Sequence, residues 1–381
     1  MKKMKFLSLL LAAAMTVSFL FAWAPSASAA EDIDIDANAV YLVEQTTGKV
    51  LYAKNENEKI YPASTTKLIT ILVALRAIDA GTVSATDTVT VPNDAYFDLT
   101  DDASSAGLVV GSQLSLEDLF YCALLPSANE ACNTIAEYIA GDIPSFITMM
   151  NNTAEELGCT GTHFANAHGL PNDDHYTTAH DLYLIYNAIS QYPLFLQISG
   201  TAAYTIPANS THEAIELENT NELLDKDGKY YYKNCTAGKT GYTDAAGYCL
   251  VSSATDPDTQ LSLIAVVMGA QSATDTDGST LKKSFSETIR LYQWGFANFS
   301  FREVLSTDKL LAQVPVSMGD GADAVVLCPA TPVTALADNS LTDSDFTYDV
   351  TVYSEQSGET VIAPVSVGDV LGEVTISLDG E

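Results

Sequence analysis

The chain has 381 residues, 47% of them hydrophobic, which is enough for one large globular domain or two ordinary ones and excludes a disordered chain. Its formal net charge of −32 predicts an acidic surface that repels nucleic acid and anionic lipid. Nucleic-acid binding is therefore not expected, and most of the acidity is interpreted as keeping the protein soluble.

Residues 1–30 resemble an export signal. Lys2, Lys3 and Lys5 precede a long apolar run, and the small residues "SASAA" follow it. The protein is therefore expected outside the cytoplasm, either extracellular or at the outer face of the cytoplasmic membrane. Because the apolar run is long for a signal peptide, a retained signal that anchors the chain in the membrane is the alternative.

The next stretch predicts a hairpin followed by a buried helix. Two apolar runs flank the turn "TTG" within residues 39–54, which is a hairpin pattern. A helix is predicted from about Ser64 to Ile78, with apolar residues all around its axis, so we expect it at the centre of the core. Its length, Lys67 and Arg76 argue against a membrane span.

The middle of the chain alternates between helix and strand patterns. Ser115 with Asp118 and Thr178 with Asp181 have the spacing of capping boxes at helix starts. Strand patterns follow over about 230–270, and "TLKKSFSETIRLYQWGFANF" predicts a closing helix. The expected fold class is mixed α/β, with one mixed sheet packed by helices in a domain of residues 31–300.

From residue 301 to 381 the pattern changes to short strands separated by Gly, Pro, Asp and Ser turns. We expect a small all-β domain here. The final stretch "VLGEVTISLDGE" has the pattern of a strand, so a C-terminal membrane-anchoring helix is not evident.

The cysteines and histidines do not indicate a metal or cofactor. The six cysteines contain no C-x-x-C pair, and most lie in apolar stretches, which favours buried thiols over a disulfide framework. Four histidines fall within eighteen residues, but without a recognised ligand spacing: His163, His168, His175 and His180.

The first chemical motif is "STTK", with Ser64 and Lys67 three residues apart at a helix start. Side chains at i and i+3 are neighbours on a helix, so the amine can reach the hydroxyl. A lysine acts as a base only when neutral, and burial or a second cation lowers its pKa toward that state. On its own the pair is also consistent with a helix-capping serine beside a lysine whose amine reaches solvent.

Two further motifs are weak individually. Ser127 and Asn129 follow Pro126 at a helix break, where such residues often only cap a turn. Lys239, Thr240 and Gly241 lie in a strand pattern, where a glycine often marks the close approach of another backbone. Lys239 is a candidate for the second cation.

The three motifs together, in this order, resemble those of the penicillin-recognising serine enzymes. The stretches "YPASTTKLIT", "THFANAHGL" and "GKTGYTDAAGYCLV" narrow the resemblance to the D-alanyl-D-alanine carboxypeptidases among the low-molecular-mass penicillin-binding proteins. The resemblance extends from about residue 39 to 299 and implies their catalytic fold, with His168 in a structural "HGL" turn near the cleft.

The resemblance also implies roles. Ser64 would be the nucleophile, Lys67 its base, and Ser127 and Lys239 the route of the proton to the leaving amine. Asn129 would orient Lys67 and substrate. The substrate-binding residues implied are Thr240 for the terminal carboxylate, Gly241, and the backbone N–H of Tyr242 in the oxyanion hole.

The implied substrates are peptidoglycan stem peptides ending in D-Ala-D-Ala, which links the enzyme to the cell wall, to cell shape and to association with the cell envelope. β-Lactam antibiotics would be covalent inhibitors, and no cofactor is needed.

One departure concerns carboxylate recognition. Family members usually carry an arginine at the start of the closing helix. Ser284 occupies that position here, beside Lys282 and Lys283.

Three alternatives remain open at this point. A β-lactamase needs a group to activate water, for which Glu155 and Glu156 are candidates in an ordinary helical pattern. A D,D-endopeptidase would use the same residues on crosslinked peptides. An inactive wall-binding module would keep the fold without the chemistry.

Overall fold

The structure is a computed structural model that describes residues 33–275 and 280–378. The described residues form two compact units, 33–297 and 298–378. The predicted signal peptide, residues 1–30, lies outside the described residues.

The larger unit contains both helices and strands. Its α-helices are α1 Lys67–Asp79, α2 Leu116–Leu124, α3 Asn129–Ala140, α4 Ile143–Glu156, α5 Ala179–Ile189, α6 Pro193–Ser199 and α7 Lys283–Asn298, whose last residue belongs to the smaller unit. Short 3₁₀ helices cover Ala63–Thr66, Asn93–Tyr96 and Glu222–Leu224. Its strands are β1 Ala39–Glu44, β2 Val50–Lys54, β3 Thr88–Thr90, β4 Gln113–Ser115, β5 Ala203–Ile206, β6 Ile215–Glu218, β7 Cys235–Thr243, β8 Gly247–Thr255, β9 Ser262–Ala270, β10 Ser272–Thr274 and β11 Thr280–Lys282.

A five-stranded sheet with the order β2-β1-β9-β8-β7 is the centre of this unit. The predicted hairpin is confirmed as the antiparallel pair β1 and β2. The fold class, a sheet packed by helices, is also confirmed, but the prediction of a mixed sheet is wrong, because every pairing in it is antiparallel. Short turns join β1 to β2, β7 to β8 and β8 to β9, and such turns permit only antiparallel neighbours.

Helices cover both faces of the sheet. Tyr41 and Val43 of β1 belong to the large core that contains α1 and α5. Leu42 lies between these two residues in sequence and points to the other face of the sheet. There, Gly295 of α7 packs closely against Leu42 and Leu263. This alternation follows from the two-residue period of a strand and explains why strands buried on both faces are apolar throughout.

The central helix has the predicted position but a different first turn. Residues 67–75 are all buried, as its apolar sequence predicted. Ser64 lies in the 3₁₀ helix Ala63–Thr66, and the α-helix begins only at Lys67. In a 3₁₀ turn the side chains at i and i+3 eclipse each other, so this geometry aligns Ser64 with Lys67 more closely than an α-helix does.

Of the two predicted capping boxes, one is complete. Ser115 accepts a hydrogen bond from the N–H of Asp118, whose carboxylate accepts one from the N–H of Ser115. Thr178 likewise caps the N–H of Asp181 at 3.0 Å. The Asp181 carboxylate, however, accepts hydrogen bonds from the N–H of Gly161 and the hydroxyl of Thr162, at 2.8 and 2.7 Å. It therefore ties a loop to α5 instead of completing the box.

The smaller unit is mainly β structure. It contains β12 Phe299–Leu305, β13 Ala312–Ser317, β14 Ala324–Leu327, β15 Val333–Asp338, β16 Phe346–Val352, β17 Val361–Ile362 and β18 Gly372–Leu378, with a short helix α8 Tyr353–Ser357 and a 3₁₀ helix Asp343–Asp345. Val304, Ala337 and Phe346 form a small core. Within the final stretch, residues 372–378 form a strand, as predicted, and this strand, β18, pairs with β16. Within the described residues, the helices are too short or too polar to cross a membrane.

The six cysteines are unpaired, and most of them are buried, as the apolar stretches around them predicted. Cys122, Cys132, Cys159 and Cys249 are buried, whereas Cys328 is exposed.

Candidate active site

The first motif folds into a tight turn at the entrance of α1. Ala63 has a φ of 47°, a left-handed conformation that is uncommon for a residue with a Cβ. Ser64 follows it, and its Oγ accepts a hydrogen bond from the Lys67 Nζ at 3.0 Å. Strained backbone of this kind is concentrated at functional sites, where the surrounding structure holds it in place.

Lys67 is completely buried, and its amine has three oxygen partners. Besides Ser64, the Nζ donates to the Asn129 Oδ1 at 2.6 Å and to the carbonyl oxygen of His168 at 2.7 Å. Burial lowers the pKa of Lys67 from 10.5 to about 8. A substantial fraction of the amine is therefore neutral near physiological pH, which a general base requires.

The second motif places an unpartnered hydroxyl beside this pair. Ser127 has a φ of 67°, again left-handed. Its Oγ is buried and has no hydrogen-bond partner among the described residues. Asn129 begins α3, and its N–H donates to the carbonyl oxygen of Ser104 at 2.8 Å. Because a buried polar group without a partner is costly, the Ser127 hydroxyl indicates a site that a ligand completes.

The third motif provides a second buried lysine. Lys239 on β7 is only 1% exposed, and its Nζ donates to the carbonyl oxygen of Thr240 at 2.9 Å. Burial and the charge of Lys67 together hold the pKa of Lys239 well below its usual value. A second amine is therefore close to Lys67, as predicted, but its own charge is depleted, and burial instead of a second cation lowers the pKa of Lys67.

Gly241 lets strand β7 pass directly against the nucleophile. An ideal Cβ at this position would lie 3.0 Å from the Ser64 backbone nitrogen and 3.1 Å from the Ala63 Cβ. The close backbone approach predicted from the glycine is therefore observed. It brings the backbone of Gly241 and Tyr242 next to Ser64.

A cleft of about 690 Å³ opens over these residues. Six of the predicted site residues line it: Ser64, Ser127, Asn129, Thr240, Gly241 and Tyr242. Lys67 and Lys239 are buried and do not line the cleft. The structure thus brings all eight predicted residues to one site, with hydroxyls and an amide at the surface and two amines in the interior.

Sequence reasoning missed several residues that shape the cleft. An ideal Cβ at Gly169, in the "HGL" turn, would lie 1.9 Å from the carbonyl oxygen of Ala63, so this turn packs against the nucleophile from a second side. Thr220 also lines the cleft, and its Oγ1 lies 2.5 Å from that of Thr240. No local pattern in "ENTNELL" marks it.

Glu130 is a second such residue. It is fully buried, and its Oε1 accepts hydrogen bonds from the Ser105 Oγ and the Ala106 N–H, both at 2.7 Å. This carboxylate fastens to α3 the loop that carries Asp102 and Ser104, both of which line the cleft. The hydrogen-bond partners of Glu130 lie 24 and 25 residues before it in the chain, so a local sequence pattern does not reveal these contacts.

Ser284, which stands where family members usually carry an arginine, and the two lysines before it have different positions relative to the cleft. Ser284 is buried and lines the cleft. Lys282 also lines it, and its Nζ pairs with the carboxylate of Glu222. Lys283 instead pairs with Asp36 and is not part of the lining.

Two of the four histidines support the site without titrating near neutral pH. Burial, with the charge of Lys67 contributing to both, lowers the pKa values of His168 and His175 to about 3. The His175 Nε2 lies 2.8 Å from the Thr66 Oγ1, and the His168 carbonyl holds Lys67. Across residues 33–275 and 280–378, no three metal-ligating side chains cluster as an ion would require.

Comparison with known proteins gives a consistent assignment. The family described as D-alanyl-D-alanine carboxypeptidase matches residues 25–272. The chain is 30% identical to D-alanyl-D-alanine carboxypeptidase DacF of Bacillus subtilis, over 99% of this chain and 91% of the relative. It is 33% identical to DacC of Escherichia coli, over 98% of this chain and 89% of the relative.

A solved structure agrees with this assignment. Penicillin-binding protein 5 from Haemophilus influenzae superposes with a TM-score of 0.68 at 30% identity, over 92% of this chain and 95% of that chain. The family match covers well over half of the chain, and both relatives align along nearly its full length. The chain therefore belongs to the D-alanyl-D-alanine carboxypeptidase family of serine peptidases, and its function is that of a D-alanyl-D-alanine carboxypeptidase.

Proposed function

We propose that the enzyme removes the terminal D-alanine from peptidoglycan stem peptides through an acyl-enzyme on Ser64. The observation that carries this proposal is the 3.0 Å hydrogen bond between the Lys67 Nζ and the Ser64 Oγ. A lysine whose pKa is lowered to about 8 can accept the serine proton at neutral pH.

In the acylation step, the Ser64 Oγ attacks the carbonyl carbon of the penultimate D-alanine while its proton moves to Lys67. The backbone N–H groups of Ser64 and Tyr242 stabilise the oxyanion. The peptide C–N bond then breaks. The proton passes through Ser127, beside Lys239, to the leaving amine, so that the terminal D-alanine departs as a free amine.

In the deacylation step, a water molecule attacks the peptide that is bound to Ser64 as an ester, after the terminal D-alanine has left. The water oxygen bonds to the acyl carbon, the ester bond to the Ser64 Oγ breaks, and one water proton restores the serine hydroxyl. Asn129 holds Lys67 in place through its 2.6 Å hydrogen bond, and Thr240 contributes a hydroxyl to the terminal carboxylate of the substrate. Water and the chain's own residues suffice for both steps, so no cofactor is involved.

The same nucleophile accounts for covalent inhibition by β-lactams, since their strained amide is attacked in the same way and their ring amine stays attached to the acyl group. A β-lactamase would need a carboxylate that activates water at the acyl-enzyme. The candidates Glu155 and Glu156 do not line the cleft, and the Glu156 Oε2 pairs with Arg76 at 2.8 Å. This position disfavours the β-lactamase alternative.

The remaining alternatives use the same cleft. An endopeptidase acting on crosslinked peptides would employ the same eight residues, so the products of the reaction distinguish it from a carboxypeptidase. An inactive wall-binding module is disfavoured by the hydrogen bond between Ser64 and the fully buried Lys67, which binding alone does not require. The proposed site of action is outside the cytoplasm at the cell envelope, on the basis of the signal pattern in residues 1–30.

The test is the release of free D-alanine from a peptide that ends in D-Ala-D-Ala. The wild type should release it, and Ser64→Ala should lose at least about 1,000-fold in rate. Ser210→Ala, at an exposed turn outside the cleft, is the matched control and should behave as the wild type. Full activity of a folded Ser64→Ala variant would overturn the assignment of the nucleophile.

A further inference from the structure

The cleft lining carries more negatively charged than positively charged side chains. Asp102 and Asp244 are negative, and Lys282 is the one cation among the described residues that line the cleft. A carboxypeptidase substrate ends in a free carboxylate, which needs a positively charged partner to be bound selectively.

The two buried lysines are poorly suited to this role. Lys239 is 1% exposed, and its Nζ is directed to the carbonyl oxygen of Thr240. Lys67 is engaged with Ser64, Asn129 and the carbonyl of His168. Burial depletes the charge of both, as their lowered pKa values show.

Lys282 is held at the cleft by one contact of its backbone and one of its side-chain amine. Its backbone N–H donates to the Tyr230 hydroxyl at 2.9 Å. Its Nζ forms an ion pair with Glu222, and the two side chains are 39% and 33% exposed. The amine is therefore positioned by its partner but still accessible to a ligand, and Ser284 beside it on the lining is uncharged.

The cleft lining also carries the hydroxyl groups of Thr220 and Thr240. The Oγ1 atoms of Thr220 and Thr240 lie 2.5 Å apart. Thr220 is two residues before Glu222, the partner of Lys282, so one short segment of the chain carries a member of each pair. An ammonium next to two hydroxyl groups is a suitable binding site for a carboxylate.

We propose that Lys282, positioned by Glu222, is the cation that recognises the terminal carboxylate of the substrate, together with the hydroxyls of Thr240 and Thr220. Lys282 is thus a specificity-determining residue and not part of the proton-transfer machinery. This proposal rests on the proposed function and adds to it the group that selects a free C-terminus.

The test compares two substrates that differ only in this group: a peptide ending in D-Ala-D-Ala as the free acid, and the same peptide with a C-terminal amide. The full-length enzyme is used, and release of D-alanine or D-alaninamide is followed by mass spectrometry. Lys282→Met should lower kcat/KM for the acid by about 10- to 100-fold, as expected for the loss of one charge-assisted hydrogen bond. For the amide the change should be less than about threefold, because the amide carries no charge to recognise.

Two matched variants complete the design. Lys283→Met removes the neighbouring lysine, which pairs with Asp36 outside the lining, and should leave both substrates unchanged. Lys282→Arg keeps the cation and should restore preference for the acid. Thermal unfolding of each variant verifies the fold.

The proposal would be overturned by equal losses for acid and amide in Lys282→Met, by no loss at all, or by the same loss in Lys283→Met. These results differ from a failure of the proposed function, in which the wild type itself would release no D-alanine.

Discussion

At the scale of single residues, the chemistry depends on how Lys67 is buried. An amine in water is protonated at neutral pH and cannot act as a base. The protein places this amine in the core with three oxygen partners, where desolvation lowers its pKa to about 8. When the amine is neutral, its two N–H groups can still donate to the Asn129 Oδ1 and the His168 carbonyl oxygen, and its lone pair can accept the Ser64 hydroxyl.

This leads to a pH prediction. Because the pKa of Lys67 is lowered, its neutral fraction increases as pH rises, and kcat/KM should increase about tenfold per pH unit below 8 and level off above it. Lys67→Arg keeps a positive charge that is not lost at these pH values and should reduce the rate by about 100- to 10,000-fold. The measurement is initial rate against pH for both proteins. A wild-type rate that is constant or falling between pH 6 and 8 would contradict the assignment of Lys67 as base.

At the scale of elements, the nucleophile turn is held between strand β7 and the "HGL" turn. Gly241 contacts it from the strand side and Gly169 from the turn side. The two glycines are needed for different reasons. At Gly241 a Cβ would only be crowded, whereas Gly169 has a φ of 97° and a Cβ there would overlap the carbonyl oxygen of Ala63.

Alanine substitutions should therefore separate the two contacts. Gly241→Ala should retain the fold, with a loss of about 1–3 kcal/mol from overpacking, but should slow acylation by displacing β7 from Ser64. Gly169→Ala should lose more stability than Gly241→Ala, because it combines backbone strain with a direct overlap. Urea unfolding and D-alanine release measure the two effects. Equal stability of the two variants would show that the turn adapts to a side chain at residue 169.

The elements also show what the sequence could reveal. The motifs of Ser64, Ser127 and Lys239 were visible because each is local, with its functional residues within three positions. Thr220 and the loop held by Glu130 were not visible, since their roles arise from contacts between distant segments. The boundary between the 3₁₀ helix Ala63–Thr66 and α1 could not be predicted, because the apolar run begins only at Leu68 and the polar residues before it fit either helix type.

At the scale of the whole molecule, the chain divides into two units, each with a hydrophobic cluster of its own. All residues that line the cleft belong to the unit of residues 33–297. The strand-rich character of the second unit was predicted from the change in pattern after residue 300. The antiparallel direction of the central sheet was not, because strand direction follows from the connections and not from composition.

The separate clusters predict two unfolding transitions in calorimetry of the full-length protein. Treatment with penicillin should raise the unfolding temperature of residues 33–297, because the ligand contacts only the cleft of that unit. The unfolding temperature of residues 298–378 should stay unchanged. Ser64→Ala should show no shift on treatment. A single transition that moves as a whole would indicate that the two units unfold together.

The central claim is that Ser64 is an acylated nucleophile, and mass spectrometry of the intact protein mixed with penicillin tests it most directly. We predict a long-lived adduct of one penicillin per chain, which peptide mapping localises to Ser64 and which Ser64→Ala does not form. An adduct that disappears within seconds while penicillin is consumed would instead indicate a β-lactamase. The absence of both adduct and hydrolysis would contradict the account and favour an inactive wall-binding module.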